Sequence, residues 1–264
     1  MRKIRGEDMA TPGGEARSNA DYAWDEFDPA EYAAHNYGFL RDEDHELLKR
    51  IRDYFVETAN GRARHGIDLG AGPNLYPSLA MLPFCSAITL AERGAANRRW
   101  LKDQISRAEG YDRSWDQFWE VLQPLRPYSR IKDPRAALRE RARVQYCDVF
   151  RFRQQRSWDM GTMFFVAESI TAQWGEFLKA SRQFVKALRI DAPFAMAFMR
   201  NSRGYTVGNH RFPAVAVDEA KIEQTLANVA KIDDITPIRF DEQAPLREGY
   251  EGMILALGRA RKDS

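Results

Sequence analysis

The stretch His65-Gly-Ile-Asp-Leu-Gly-Ala-Gly-Pro-Asn-Leu-Tyr76 decides the fold of this chain. Ile67 and Leu69 are the apolar residues of a short buried strand, and Gly70 and Gly72 interrupt it. A glycine turn at the C-terminal edge of a strand lets the backbone come close to a ligand, because no Cβ stands in the way. Ligands of open α/β sheets bind at this edge. The stretch therefore predicts an α/β protein with a binding site after its first core strand.

The residues beyond the turn narrow the choice of ligand. A dinucleotide fingerprint would carry a third glycine where this chain has Leu75, and no Gly-Lys-Ser/Thr follows that would mark a P-loop. Twenty residues past Gly72, an apolar stretch ends in Glu92, and an acid at the end of the second strand typically accepts the ribose hydroxyls. A ribose without a diphosphate indicates S-adenosylmethionine. Taken alone, the glycine turn is equally consistent with an ordinary tight turn and with a turn that binds a ligand.

Four segments that occur in a familiar order carry a resemblance to a known family. They are residues 67–76, 92–97 and 147–149, and Phe27-Asp-Pro-Ala-Glu-Tyr32 with Tyr37 after it. The chain resembles the small-molecule methyltransferases that include nicotinamide N-methyltransferase, phenylethanolamine N-methyltransferase and thioether S-methyltransferase. The resemblance implies a Rossmann-like seven-stranded α/β sheet with an N-terminal helical cap, S-adenosylmethionine as the cofactor, and no metal.

Composition excludes several other classes of protein. The 264 residues are 44% hydrophobic, which is enough for one large α/β domain. The net charge of +2 implies no general attraction to nucleic acid or to a membrane surface. Cys85 and Cys147 lie in apolar segments and are interpreted as buried thiols. Without a membrane-spanning stretch or a secretory signal, we expect a cytoplasmic monomer with a small-molecule substrate and with neither nucleic-acid nor membrane partners.

The order of the segments predicts one domain preceded by a tail. We expect residues 1–20 to be disordered and residues 21–264 to form the methyltransferase domain, with two cap helices in residues 21–60. Asp28 would cap the first of these helices. The remaining elements follow from apolar runs and helical spacing: core strands at 143–149, 158–166 and 193–199, helices at 95–108, 174–188 and 218–230, and a closing antiparallel pair at 235–240 and 252–258.

Residues 110–143 are an insertion that fits no core element of a minimal methyltransferase. An aromatic and basic surface of this kind can stack nucleobases, as in an RNA-modifying enzyme. However, Trp115, Phe118, Trp119 and Leu122 fall on one helical face, which favours packing on the flank of the sheet.

The resemblance also assigns residues to the cofactor. Glu92 would hold the ribose, Asp148 the adenine amino group, and the backbone amide of Val149 a ring nitrogen. The full predicted cofactor set is Tyr32, Tyr37, Gly70, Gly72, Tyr76, Glu92, Asn97, Asp148, Val149 and Phe164.

Two glutamates are candidates for the methyl-acceptor side. Glu168 follows the fourth strand and Glu248 precedes the last one. On the phenylethanolamine N-methyltransferase pattern, both positions hold acids that contact the substrate amine, and we predict both as catalytic, with Glu168 as the proton acceptor. A helix-capping or loop acid is the alternative for Glu168, and a solvated turn acid is the alternative for Glu248. Ala167-Glu168-Ser169 replaces the Asn/Asp-Pro-Pro pattern of enzymes that methylate nucleobase amines.

The aromatic residues near Glu168 indicate what kind of methyl acceptor the site would take. The predicted substrate-binding set is Tyr32, Phe165, Glu168, Tyr205 and Glu248. Phe164 and Phe165 would give the site an aromatic floor, which favours a flat amine of indole or alkaloid type in secondary metabolism. The chain departs from the family at Asn36, where a second tyrosine is expected, and after the fifth strand, where no acid occurs. O- or C-methyl transfer, or a non-catalytic cofactor-binding protein, remain the alternatives.

Overall fold

A computed structural model describes residues 17–59, 64–239, 246–247 and 249–262 of the protein. A mixed β-sheet lies at the centre of this part of the chain. The strands of this part of the chain are β1 (Arg64–Leu69), β2 (Cys85–Glu92), β3 (Ala142–Tyr146), β4 (Met160–Phe164), β5 (Pro193–Met199), β6 (Tyr205–Val207), β7 (His210–Phe212), β8 (Ala230–Ile238) and β9 (Met253–Ala260). Seven of them form one sheet in the order β3-β2-β1-β4-β5-β9-β8, and β6 pairs with β7 in a separate hairpin.

The order in which the strands are added to the sheet reverses at β1. Strands β1 to β5 are parallel, and β1 pairs with β2 on one side and with β4 on the other. Strand β9 runs antiparallel to both β5 and β8. The predicted seven-stranded sheet with an antiparallel end is therefore confirmed. In a parallel sheet, the point where the strand order reverses opens a crevice at the carboxyl ends of the strands, which places a ligand site after β1 and β4.

Helices cover both faces of this sheet. They are α1 (Pro29–Tyr37), α2 (Asp42–Thr58), α3 (Tyr76–Met81), α4 (Ala95–Ser106), α5 (Asp116–Leu122), α6 (Pro134–Arg141), α7 (Trp174–Ala187) and α8 (Glu219–Leu226). Helices α2 to α6 bury their apolar sides in one hydrophobic core, through residues such as Leu47 and Phe118. Helices α7 and α8 belong to a second core, with Phe184 and Ile222 among its members. Among these helices of the described residues, none has the length and apolar character needed to cross a bilayer.

Several predicted element boundaries move by a few residues. The third strand ends at Tyr146, so Asp148 lies in the loop after it. The first strand of the closing pair begins at Ala230 rather than at residue 235. The predicted N-cap of α1 is confirmed, because the Asp28 carboxylate accepts hydrogen bonds from the backbone amides of Ala30 and Glu31.

The expected disordered tail is corrected at its C-terminal end. Residues 1–16 lie outside the described part of the chain, but Asn19 is buried. Its side-chain amide donates to the Ile170 carbonyl at 2.8 Å, and its backbone amide donates to the Glu176 carboxylate at 2.7 Å. The polar composition of this segment did not reveal these partners, because they lie about 150 residues away in the chain.

The insertion packs on the flank of the sheet. The four residues predicted to share one helical face are all buried. The Phe118 ring stacks on Tyr76 with a centroid distance of 5.3 Å. The Tyr128 hydroxyl donates a hydrogen bond to the Ala80 carbonyl at 2.7 Å. The aromatic side chains of α5 therefore form part of the core, which removes the base-stacking surface of the alternative interpretation.

Candidate functional site

A cleft opens at the carboxyl ends of the parallel strands. Its empty volume is about 880 Å³ when the open mouth is counted. We distinguish two groups of lining residues. The glycine side consists of Gly70, Gly72, Glu92, Asn97 and Asp148, and the aromatic side consists of Trp24, Phe27, Tyr32 and Tyr205.

The turn after β1 requires glycine for two separate reasons. Gly70 and Gly72 have φ angles of +76° and +53°, in the left-handed region. A Cβ on Gly70 would also lie 2.5 Å from a methyl carbon of Val166. The turn is tied to the end of β2, because the Gly70 amide donates to the Ala91 carbonyl at 2.7 Å. The backbone itself therefore forms this wall of the cleft.

Backbone amides from the turn after β1 and from the residues after β2 hold the Glu92 carboxylate. Its carboxylate accepts from the Gly72 amide at 2.9 Å and from the Gly94 amide at 2.5 Å. Burial raises the pKa of Glu92, while these two amides and the Asn97 side chain lower it. A carboxylate offers about four acceptor positions, so it retains acceptor capacity toward the cleft.

A second acceptor next to Glu92 fits the same kind of ligand. The side-chain oxygen of Asn97 is buried and has no hydrogen-bond partner among the described residues. Buried polar atoms are normally paired. Together with Glu92, this oxygen suits a ligand that brings hydroxyl donors, as the ribose of S-adenosylmethionine does.

The loop after β3 completes the glycine side. Cys147, Asp148 and Val149 all line the cleft. The Asp148 carboxylate accepts a hydrogen bond from the Phe150 amide at 2.9 Å and faces the guanidinium of Arg93 at 4.0 Å. This loop lies beside Glu92, because the Cys147 amide donates to the Glu92 carbonyl.

Aromatic rings from distant segments meet on the aromatic side. Trp24 and Tyr205 both stack on Phe212, with centroid distances of 5.1 and 5.5 Å. Phe27 lies 5.1 Å from the Tyr32 ring. The indole N–H of Trp24 donates to the Asn19 carbonyl, which ties this ring to the N-terminal segment. The arrangement offers faces and edges of rings to a flat ligand.

The first residue after β4 has an unusual backbone conformation. Phe165 has a φ angle of +58°, and its amide donates to the Ala197 carbonyl at 2.7 Å. A bulky residue in the left-handed region is strained by about 1–3 kcal/mol, and such strain concentrates at functional sites. Phe164 and Phe165 both line the cleft, between the ends of β1 and β5.

The comparisons with known proteins agree with this geometry. The model of the NNMT/PNMT/TEMT family matches residues 15–261. The chain belongs to the NNMT/PNMT/TEMT family. As a member, it is an S-adenosylmethionine-dependent methyltransferase, and S-adenosylmethionine is its cofactor. No curated protein sequence matches the chain significantly.

Solved structures show the same fold at low sequence identity. The N-methyltransferase NodS from Bradyrhizobium japonicum WM9, in complex with S-adenosylhomocysteine, superposes with a TM-score of 0.50 and 11% identity, over 89% of this chain and 100% of that one. A methyltransferase from Methanosarcina mazei gives 0.54 and 11%, over 80% and 98%. One from Clostridium acetobutylicum gives 0.52 and 13%, over 84% and 94%.

Most of the residues predicted for the family's site line the cleft. These are Tyr32, Tyr37, Gly70, Gly72, Glu92, Asn97, Asp148, Val149, Phe164, Phe165 and Tyr205. Tyr76 does not line it. Its side chain is fully buried, and its hydroxyl donates to the Asp44 carboxylate at 3.0 Å. Its ring packs against two lining residues, Tyr37 and Phe164, and its predicted place beside the cofactor stays a prediction. Glu248 lies outside the described residues, and its predicted role stays a prediction.

Glu168 is brought close to the aromatic side but not onto the surface of the cleft. It is fully buried, and one carboxylate oxygen accepts from the Met199 amide at 3.0 Å and from the Ser169 hydroxyl at 3.1 Å. The other oxygen has no partner among the described residues. Burial raises the pKa of this carboxyl group. The exposed loop acid of the alternative interpretation is therefore excluded, and the predicted contact with the substrate amine stays a prediction.

A buried arginine is the main residue that sequence reasoning missed. The Arg247 guanidinium donates to the Ser169 hydroxyl at 2.9 Å and to the Tyr32 hydroxyl at 2.8 Å. It also lies 4.2 Å from the centroid of the Tyr205 ring. Nothing in the pattern around residue 247 predicts burial. Trp24 was missed as well, although an isolated tryptophan in a polar segment is a usable signal for a packed ring.

Proposed function

We propose that the protein is an N-methyltransferase that acts on a small aromatic amine, of indole or alkaloid type, in secondary metabolism. The observation that carries this proposal is the continuity of the glycine side and the aromatic side within one cleft. The first side offers acceptors for a ribose, and the second offers ring faces for a flat acceptor molecule. Two of the three enzymes that give the family its name also methylate nitrogen.

The residues of the cleft act mainly by holding the two reactants together. When bound, the cofactor supplies a methyl group on a sulfonium leaving group, so the protein need not provide a nucleophile. Glu92 and the glycine turn hold the cofactor side, while Trp24 and Tyr205 restrict the acceptor to a flat orientation. Positioning of this kind can lower the activation free energy of a displacement reaction by about 7–11 kcal/mol in favourable cases.

An uncharged amine suits the aromatic side, because the positive charge of Arg247 lies next to Tyr32 and Tyr205. An amine bonded directly to an aromatic ring is uncharged near neutral pH, so its lone pair can attack without prior loss of a proton, and water at the open mouth can take the proton afterwards. An alkylamine of alkaloid type must first lose its proton to water. Tyr32 and Tyr205 line this side, where the Tyr32 hydroxyl accepts from Arg247 and the Tyr205 hydroxyl donates to the Ser169 carbonyl. In this proposal Glu168 is a positioning residue. Its carboxylate holds Ser169, and Ser169 and Tyr32 share the guanidinium of Arg247.

The proposal is tested with a panel of aromatic amines and matching phenols and labelled S-adenosylmethionine. We expect transfer to the amines, with the new methyl group assigned to nitrogen by NMR of the product. Transfer confined to the phenols or to ring carbon would replace the proposal with O- or C-methylation. Binding of S-adenosylhomocysteine without any transfer would indicate a non-catalytic protein. The Glu92→Ala variant serves as the control for background methylation.

A further inference from the structure

Part of the cleft wall comes from the N-terminal segment, ahead of α1. Asn19, Trp24 and Phe27 all line the cleft, and we call residues 17–27 the strap. Asn19 is buried, with only 6% of its surface exposed. A buried polar side chain needs partners that replace the lost water. The partners of Asn19 therefore show what holds the strap in place.

The side-chain amide of Asn19 joins the two walls that flank the glycine turn. Its oxygen accepts from the Arg93 guanidinium at 2.5 Å, directly after β2. Its nitrogen donates to the Ile170 carbonyl at 2.8 Å, in the loop after β4. Strand β1, which the glycine turn follows, lies between β2 and β4 in the sheet. The amide therefore spans the cleft at the turn where the cofactor is expected to bind.

The same residue also fixes a ring of the aromatic side. The Asn19 carbonyl accepts from the Trp24 indole at 2.8 Å, and Trp24 stacks on Phe212. The Asn19 backbone amide donates to the Glu176 carboxylate, in the first turn of α7. Release of Asn19 would therefore loosen Trp24 as well, so that both sides of the cleft open together.

Arg93 makes the contact with Asn19 from the β2 wall. Its Nη1 bonds the Asn19 side chain, while its Nε lies 4.0 Å from the Asp148 carboxylate. The Arg93 side chain is 40% exposed. An exposed guanidinium can exchange a protein partner for water at little cost, unlike a buried one. This contact is therefore suited to break and form again.

We propose that the contact between Asn19 and Arg93 is a latch that keeps the strap closed over the bound cofactor, with Arg93 as its positioning residue. The cofactor enters and leaves when this latch opens. The inference rests on the cofactor of the family and not on the identity of the methyl acceptor. A failure of the proposed amine methylation would therefore leave it standing, and its own failure would leave that proposal untouched.

The test measures association and dissociation of labelled S-adenosylhomocysteine in the parent and in Arg93→Met. Loss of an ordinary ligand contact raises mainly the dissociation rate constant. A latch that opens more often raises the association and dissociation rate constants together. We expect both constants to rise roughly 10- to 100-fold, the range for loss of one hydrogen bond to a charged group, while the affinity changes much less. Arg93→Lys keeps a donor and should give intermediate rates.

Arg151 is the matched control for the charge of Arg93. It also faces the Asp148 carboxylate, at 3.7 Å, but its side chain is 87% exposed. Arg151→Met removes the same charge from the same neighbour and should leave both rate constants unchanged. A double variant tests whether Arg93 acts through Asn19. Adding Arg93→Met to Asn19→Ala should change the rates little further, because the latch is already broken.

Limited trypsin cleavage reports the opening of the strap without any ligand. The Arg17 carbonyl accepts from the Ala172 amide at 3.3 Å, so cleavage after Arg17 requires the strap to leave this contact. We expect this cleavage to be faster in Arg93→Met and to be suppressed by S-adenosylhomocysteine. A misfolded variant would instead be cut throughout the chain. The exchange measurement then rests on Asn19→Ala, which breaks the latch from the strap.

Four results would overturn the inference. Faster dissociation with unchanged association in Arg93→Met would make Arg93 an ordinary contact of the cofactor. Parent rate constants in Arg93→Met or in Asn19→Ala would mean that the contact does not limit exchange. Equal changes in Arg151→Met would assign the effect to the charge near Asp148. Additive effects of Asn19→Ala and Arg93→Met would show that the two residues act separately.

Discussion

The centre of the glycine side of the cleft is the turn after β1, joined to the end of β2, with Asn97 and Asp148 beside it. The aromatic side is assembled from segments far apart in the chain. The Gly72 amide donates to the Glu92 carboxylate, and the Gly70 amide donates to the Ala91 carbonyl. On the other side, Tyr32, Ser169 and Arg247 meet only through their side chains. In the proposed function, the cofactor therefore depends on the backbone of the glycine turn together with the Glu92 and Asn97 side chains, and the acceptor depends on side chains alone.

The first prediction concerns the backbone of the glycine side and has the largest expected effect. Gly70→Ala places a Cβ 2.5 Å from Val166 on a residue with a φ angle of +76°. We expect a loss of unfolding free energy of about 2–5 kcal/mol from overpacking and backbone strain combined, together with loss of S-adenosylhomocysteine binding. Chemical denaturation and calorimetry measure the two effects.

Gly175 is the matched control for this variant. A Cβ at Gly175, in the first turn of α7, would meet no atom within 4 Å. Gly175→Ala should therefore be neutral or stabilising by up to about 1 kcal/mol. Equal effects of the two alanine variants would contradict the special geometry assigned to the turn after β1.

The second prediction concerns the buried acid beneath this turn. Burial raises the pKa of Asp68 to about 7, and its carboxylate accepts from the Thr162 hydroxyl at 2.8 Å. Because the folded pKa lies above the unfolded value of 3.8, the favourable contribution of the protonated group is complete below that value and is lost as the pH rises through about 7. Asp68→Asn should therefore stabilise the protein at pH 8, by at most about 4 kcal/mol.

The stabilisation by Asp68→Asn should be smaller at pH 5 than at pH 8. Denaturant titrations of parent and variant at both pH values measure this difference. A gain that does not depend on pH would mean that Asp68 is charged in the folded protein throughout the range.

The third prediction decides between two roles for Glu168 on the aromatic side. As a positioning residue, Glu168→Gln should lower turnover roughly 10- to 100-fold by displacing Ser169 and Arg247. The shape of the pH–rate profile and the affinity for S-adenosylhomocysteine should stay unchanged. If Glu168 is the proton acceptor that the sequence predicts, its ionisation should instead shape the parent profile and be absent from the variant. Parent rates in Glu168→Gln would exclude both roles.

The two sides of the cleft also differ in how far the sequence predicts them. Gly70, Gly72 and Glu92 stand at the spacing expected of two adjacent parallel strands, and the resemblance to the methyltransferase family favours this interpretation over an ordinary tight turn. The centre of the sheet was predictable because β4 and β5 are apolar runs between turn signals. The start of β8 was not, because this strand contains Asp233 and Asp234.

The contacts of Arg247 and Asn19 were not predictable in this way. Asn19 begins a single 3-10 turn and Arg247 lies in a loop, so neither belongs to a periodic pattern. Their partners are set by how the N-terminal segment and the β6–β7 hairpin fold over the sheet. Tyr76 shows the reverse case. Its motif position is conspicuous in the sequence, but the closeness of Asp44 and Phe118 turns its side chain into the core.

The division of labour between the two sides is tested most directly by calorimetry with S-adenosylhomocysteine on two variants. Glu92→Ala removes the acceptor of the glycine side and should weaken binding by about 1.5–3 kcal/mol, the scale for a lost hydrogen bond to a charged group. Tyr205→Ala removes a ring of the aromatic side and should leave this affinity within about twofold of the parent, or ~0.4 kcal/mol. Unchanged affinity in Glu92→Ala, or a loss in Tyr205→Ala as large as the one predicted for Glu92→Ala, would contradict the account.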